Sequence, residues 1–135
     1  MDDIATNSSD APGPGRVVLR RLKTRPQFLA CQKAQARPCG SVLLQMRDRQ
    51  DGDPAVGVGF TATKKIGGAV VRNRAKRRLR EAARLLLPDH ALPGHDYVLI
   101  ARQSLTERPW PRLLDDVKTA LIRLAADRRA EPERP

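Results

Sequence analysis

The sequence predicts an α+β fold: one small domain in which helices pack against a mixed sheet of three or four strands, in the order α-β-β-(β)-α-β-α. Three observations carry that expectation. From Val71 to Leu86, apolar residues (Val71, Ala75, Leu79, Ala82, Ala83, Leu86) recur three or four apart, which is the spacing of one helix face. The unbroken apolar run at Asp96-Tyr97-Val98-Leu99-Ile100-Ala101 reads as a strand covered on both faces, hence a central parallel one. Finally, 135 residues with 40% hydrophobic side chains suffice for one modest core and not for two. Aromatic residues make up only 3% of the chain, so that core must come mainly from Val, Leu, Ile and Ala.

Taken in order, residues 1–15 are polar and rich in Pro and Gly and are expected to form a disordered tail. The domain is placed at residues 16–126. A first helix begins after Thr24, whose pairing with Gln27 three positions on makes a capping box, with Pro26 in the first turn where no intrahelical N–H is required. Phe28, Leu29 and Cys31 are its candidates for burial or for facing a groove. Two strands follow, Ser41 to Met46 and Ala55 to Ala62, and the turn-rich Arg47–Pro54 between them suggests a hairpin. Gly57 and Gly59 share one face of the second strand and would let a helix approach closely.

The central helix is expected to end at Pro88. The loop after it holds both histidines, His90 and His95, beside Pro and Gly, and places them at the surface. Pro109-Trp110-Pro111 introduces a last helix with Leu113, Val117, Leu121 and Leu124 in register, and Trp110 reads as a core residue. The charged end, residues 127–135, is expected to fray. Cys31 and Cys39 form no CxxC pattern and have no neighbouring His, so they read as reduced structural cysteines without a metal. No apolar run approaches the ~20 residues of a membrane span and no signal-peptide core is present, which points to an intracellular, cytoplasmic protein.

Charge is where the chain departs from an ordinary small domain. Between Lys64 and Arg84 lie nine basic residues and one acidic one, Glu81, which together account for eight of the formal eleven positive charges. On a helical projection Asn73, Arg74, Arg77, Arg80 and Arg84 lie opposite the apolar stripe, with Lys76 and Arg78 on the flanks. So many like charges on one rigid face repel one another, and a polyanion relieves that cost through neutralisation and counterion release. Nucleic acid is the expected partner. A membrane surface fits less well, because half the apolar stripe is alanine where a lipid-binding helix uses Trp, Phe and Leu. Arg predominates over the Asn and Gln that read adenine edges, so backbone contact is favoured over base reading in a DNA groove.

Lys64-Lys65-Ile66-Gly67, then Ala69-Val70-Val71-Arg72-Asn73-Arg74, then Lys76-Arg77 and Leu79-Arg80-Glu81-Ala82 resemble the signature of the bacterial ribonuclease P protein subunit. The likeness extends outward through Arg21-Leu22-Lys23 with Phe28, through Val58-Gly59-Phe60-Thr61 and through Asp96 to Arg102, covering roughly residues 20 to 125. It implies a left-handed β-α-β crossover in a ribosomal-protein-like fold. It also implies a protein cofactor of the endonuclease that matures the 5′ ends of precursor transfer RNAs.

In that family the chemistry belongs to the RNA subunit and its Mg²⁺ ions. The implied partners are therefore that RNA and the precursor with its 5′ leader, and no catalytic or metal-ligating residue is expected in this chain. Arg72, Arg74, Lys76, Arg77, Arg80 and Arg84 are assigned to RNA backbone contacts, with Lys64 and Lys65 at the edge of the same surface. Asn73 takes a hydrogen-bonding or helix-initiating role, and Phe28 a place in a cleft for the single-stranded leader. One turn after Phe28 the family's aromatic position holds Gln32, and the aromatic often found late in the first of the two strands is replaced among Leu44, Gln45 and Met46. Both departures reduce the stacking surface. A structural ribosomal or chaperone-like RNA binder would carry the same basic helix and remains the alternative.

Overall fold

The computed structural model describes residues 18–130, so the expected N-terminal tail and the last five residues of the expected C-terminal one lie outside the described residues. The elements are β1 (Leu19–Arg21), α1 (Arg25–Gln32), β2 (Gln35–Cys39), β3 (Val42–Asp48), β4 (Val56–Ala62), α2 (Ala69–His90), β5 (His95–Ala101) and α3 (Trp110–Ala130). One mixed sheet holds all five strands in the order β1-β4-β5-β3-β2. The α+β class is as expected, but the sheet has two strands more than a three-stranded reading and one more than a four-stranded one.

The unanticipated strands are both edges. β1 has only three residues, too few to show a period, and pairs parallel to β4. β2 contains Pro38, which an edge strand tolerates because one side of its backbone needs no ladder partner. It joins β3 through the two-residue loop Gly40-Ser41, with φ +58° at Gly40, the geometry of a hairpin turn that takes glycine first.

The expected hairpin between β3 and β4 does not form, because β5 inserts between them, antiparallel to β3 and parallel to β4. Arg49 shows why the connection crosses rather than turns back. Its guanidinium donates to Asp96 Oδ1 at 2.7 Å, to the carbonyls of Asp53 and Ala55 at 2.8 and 2.6 Å, and through Nε to Asp51 at 2.9 Å. The polar loop thus wraps around one largely buried arginine side chain beneath the start of β5. Asp96, only 2% exposed, opens the strand that looked wholly apolar.

Helices cover both faces of the sheet. On one side α2 and α3 pack against Val42, Leu44, Met46, Val56, Val58, Tyr97 and Leu99, and Leu79, Leu87, Leu113 and Val117 are fully buried there. Each such side chain contributes about 1.5–3 kcal/mol by leaving water. The alanines of α2 (Ala75, Ala82, Ala83) are equally buried, so their small size sets how closely the helix approaches. On the other side α1 covers a second cluster of Leu22, Cys31 and Val98, with Phe28 packed against it, while Leu29 is exposed. The capping expectation holds at α1: the Gln27 side chain accepts from the Thr24 N–H at 3.0 Å.

Three boundaries differ from expectation. Helix α2 runs through Pro88 to His90, since a proline this near the C-terminus removes one hydrogen bond only, and the Ala91 N–H still reaches the Leu87 carbonyl at 2.9 Å. His95 is buried as the first residue of β5, its Nδ1 2.8 Å from the Pro93 carbonyl, and His90 is half-buried. Helix α3 continues beyond residue 126 to Ala130, because Asp127 pairs with Arg37 and Arg128 with Asp48, which ties its last turns to the sheet.

Candidate nucleic-acid interface

Helix α2 begins after Gly68, following a short 3-10 turn over Lys64–Ile66. Arg72 is therefore its fourth residue and Asn73 its fifth, so Asn73 does not initiate the helix. With the apolar stripe turned to the sheet, the polar and charged residues of the helix differ in exposure. Asn73, Arg74, Arg77 and Arg84 are exposed, while Arg72, Lys76, Arg78 and Arg80 are half-buried.

Asn73, Lys76, Arg77 and Arg80 form one wall of a groove of about 320 Å³ at the β1 edge of the sheet. The rest of its lining is Arg21 and Leu22, the aromatic rings of Phe28 and Phe60, and Gly59. Gly59 is there for room: a Cβ at that position would lie 2.5 Å from Phe28 Cε2. The expected close approach of a helix thus occurs at Gly59, and the helix is α1, whereas the space beside Gly57 is taken by Asp96 and Leu22. Phe60 carries the Arg80 guanidinium 5.8 Å from its ring centroid, a cation–π contact. The groove therefore has two aromatic rings in its floor and a cationic wall. β1 stops at Arg21, and this is what leaves the β4 edge open beside Phe60.

Arg80 and Arg72 each hold a buried Nε with no hydrogen-bond partner among the described residues. Buried donors are nearly always satisfied, so these two are candidates for an outside acceptor. Arg84 is set apart: it is bound to Glu81 by two hydrogen bonds, and the bond from Arg84 holds the Glu81 carboxyl below its ordinary range. Lys64 and Lys65 are exposed on the turn before α2, at the margin of the surface and outside the groove.

Residues 18–125 match the family described as Ribonuclease P. The chain belongs to the ribonuclease P protein family. Over 117 residues it is 66% identical to the ribonuclease P protein component of Caulobacter vibrioides (strain NA1000 / CB15N), spanning 87% of this chain and 78% of that one. It is 53% identical over 107 residues to the component of Ruegeria pomeroyi, 78% of this chain and 86% of that one. Among solved structures, the RNase P protein from Thermotoga maritima is similar with a TM-score of 0.66 at 25% identity, over 77% of this chain and 96% of that one. The RNase P protein of Staphylococcus aureus, 24% identical over 78% of this chain and 94% of that one, shares the fold with a TM-score of 0.65.

For a ribonuclease P protein of this sequence, the groove brings together Phe28, Asn73, Lys76, Arg77 and Arg80 from the expected set, and leaves Lys64, Lys65, Arg72, Arg74 and Arg84 outside it. Phe60 and Arg21 were not anticipated as site residues. Phe60 falls in phase with buried Val56 and Val58, so strand alternation places it in the core; only the early end of β1 turns it into groove floor. Leu44 and Met46 belong to the core on the α2 side, while Gln45 is paired with Val98 and so shares the face that α1 covers. Trp110 is half-buried at the head of α3 and packs against the main core, in keeping with a core role, yet Arg78 lies 5.9 Å from its ring centroid. No helix among the described residues is long and apolar enough to cross a membrane.

Proposed function

We infer that this chain, as the protein subunit of the ribonuclease P ribonucleoprotein that matures the 5′ ends of transfer RNAs, positions RNA and does not cut it. The groove on Phe28 and Phe60 holds bases of the single-stranded 5′ leader of the precursor. The cations of α2 meet phosphates of the leader and of the catalytic RNA. The observation that carries this reading is the join between the aromatic floor and the cationic wall within a single groove. Bases stack on the rings, at about 1–3 kcal/mol each, while the backbone they hang from runs along Asn73, Lys76, Arg77 and Arg80.

Such a site is tolerant of sequence, because every base has a π-face and every nucleotide a phosphate. Arg80 serves twice, stacking on Phe60 while its buried Nε awaits an acceptor. With Gln32 and Gln45 where aromatics would add stacking, the leader depends on these two rings.

The reaction's Mg²⁺ ions are assigned to the RNA subunit and the substrate. Among the described residues no group of three or more His, Cys, Asp or Glu side chains is placed to hold a metal. The protein's contribution is electrostatic: it lowers the repulsion between two polyanions that must lie side by side.

Reconstitution tests this. The protein added to its cognate RNA subunit should raise cleavage of a leader-bearing precursor most strongly at low Mg²⁺ and moderate salt, and should cleave nothing alone. Phe28→Ala should weaken binding of precursors that carry a leader and leave mature transfer RNA nearly unaffected. Cleavage by the protein without the RNA subunit, or no gain on adding it, would overturn the assignment.

A further inference from the structure

Across the ridge formed by Arg77 and Arg80 lies a second, more open groove of about 460 Å³, lined by Arg74, Arg77, Arg78, Arg80, Glu81 and Trp110. Its floor is Trp110, half-buried against the main core, with the Arg78 guanidinium 5.9 Å from the indole centroid. Arg78 is not free to move away. It donates to the Leu105 carbonyl at 2.6 Å and to the Arg108 carbonyl, so the same side chain that flanks the ring also ties α2 to the segment around the 3-10 turn over Gln103–Glu107. The platform is therefore preformed, with both partners immobilised before any ligand arrives. Its rim is cationic. Arg74 and Arg77 are exposed and meet no carboxylate among the described residues, while Glu81, the one acid on the rim, is already engaged by Arg84.

We propose that this second groove is a stacking site for an unpaired nucleobase of the RNA subunit, received on the Trp110–Arg78 platform with its flanking phosphates against Arg74 and Arg77. The proposal rests on the function inferred above. Charge selects the class of ligand: an apolar floor inside a ring of arginines suits a group that is flat and apolar at its centre and anionic on both sides, which describes a nucleotide within a strand. Position selects the source. A leader seated on Phe28 and Phe60 has the Arg77/Arg80 ridge between it and Trp110, so the strand on the far side is taken to come from the other RNA. The two grooves would then clamp the helix between its two RNA partners.

Trp110 is the chain's single tryptophan, so its emission reports this site alone. The full-length protein is titrated with the cognate RNA subunit, with leader-bearing precursor and with mature transfer RNA, each complex being followed independently by anisotropy of labelled RNA. The RNA subunit is expected to quench Trp110 and shield it from acrylamide, and the precursor to leave it unchanged.

Trp110→Leu, which keeps apolar volume against the core but cannot stack, should lower affinity for the RNA subunit about 5- to 150-fold, the range for one base stack. Leader-dependent precursor binding should hold. Trp110→Phe should stay within a few-fold of wild type, and it decides the question if the Leu variant is misfolded by circular dichroism. Binding of the RNA subunit without any change in emission overturns the proposal while leaving the function intact. So does quenching by the precursor instead, or an equal loss in the Phe and Leu variants, which would make Trp110 a packing residue only. Failure of the wild-type protein to bind the RNA subunit at all would overturn the function and this inference together.

Discussion

At the start of β5, Arg47 and Arg49 face Asp96, and Arg128 faces Asp48, so three arginines are matched by carboxylates inside or beside the sheet. Along α2, Arg74 and Arg77 project into solvent with no such partner among the described residues, and Arg80 lies on an aromatic ring. The residue type is the same in both places, and only its surroundings differ. Where a carboxylate and backbone carbonyls converge, arginine holds together a loop that has no hydrophobic core of its own. Where they are lacking, the charge remains available to a polyanion, and the cost of crowding it on one helix is carried by the apolar stripe beneath. Net charge alone does not separate the two uses.

The sharpest way to break the comparison is at Asp96. Its side chain is 3% exposed and it receives Arg49 at 2.7 Å, so Asp96→Ala removes the buried one of that guanidinium's two carboxylate partners, leaving Asp51 and the loop carbonyls, and should cost about 1.5–3 kcal/mol in urea unfolding. RNA affinity of the folded fraction should be unchanged. If the loss stays under about 1 kcal/mol, Arg49 is not the loop's organiser.

The converse experiment is the pair Arg74→Ala with Arg77→Ala. Two exposed charges removed should leave stability within about 0.5 kcal/mol. They should flatten the dependence of log K on log[salt] by about 1.4–1.8, at ~0.7–0.9 for each phosphate no longer neutralised. A marked drop in the urea midpoint would mean that these arginines, too, serve the fold.

The smallest effect is expected at Asp116, which shares the structural use. Burial pushes its carboxyl up, but hydrogen bonds from Arg108 and from the hydroxyl and N–H of Ser41 outweigh that and hold it below its ordinary value of 3.8. A carboxyl lowered in the folded state contributes stability above its unfolded value and loses it as pH falls toward the folded one. The gap in urea midpoint between wild type and Asp116→Asn should therefore narrow as pH falls from 7 to 3. A gap that is constant with pH would show that the ionised form is not what the Ser41–Arg108 pocket favours.

The α2 helix, its stripe and its excess charge were legible in the sequence because they are local. A period of 3.6 and a run of one sign need no knowledge of what lies opposite. The capping box at Thr24 and the central position of β5 were legible for the same reason. What escaped was decided by pairing. β1 and β2 are too short or too polar to show a period. The supposed hairpin from β3 to β4 gave way because Asp96, which lies beyond the whole of α2 from Arg49, collects that arginine beneath β5. His95 was placed at the surface from its Pro and Gly neighbours, a local argument that the antiparallel pairing of Asp48 with His95 overrides.

The site divides along the same line. Neighbours along the chain are enough to specify a rigid, cationic helix presented to nucleic acid, since helix propensity, apolar phase and charge density are all properties of adjacent residues. It took the folded arrangement to bring Phe28 and Phe60 into one groove, to floor another with Trp110, and to occupy Arg78 with backbone carbonyls while Arg74 and Arg77 meet no carboxylate among the described residues. Those outcomes depend on where β1 stops and where α3 starts against α2, and burial and charge pairing between distant segments are fixed only when the segments are brought together.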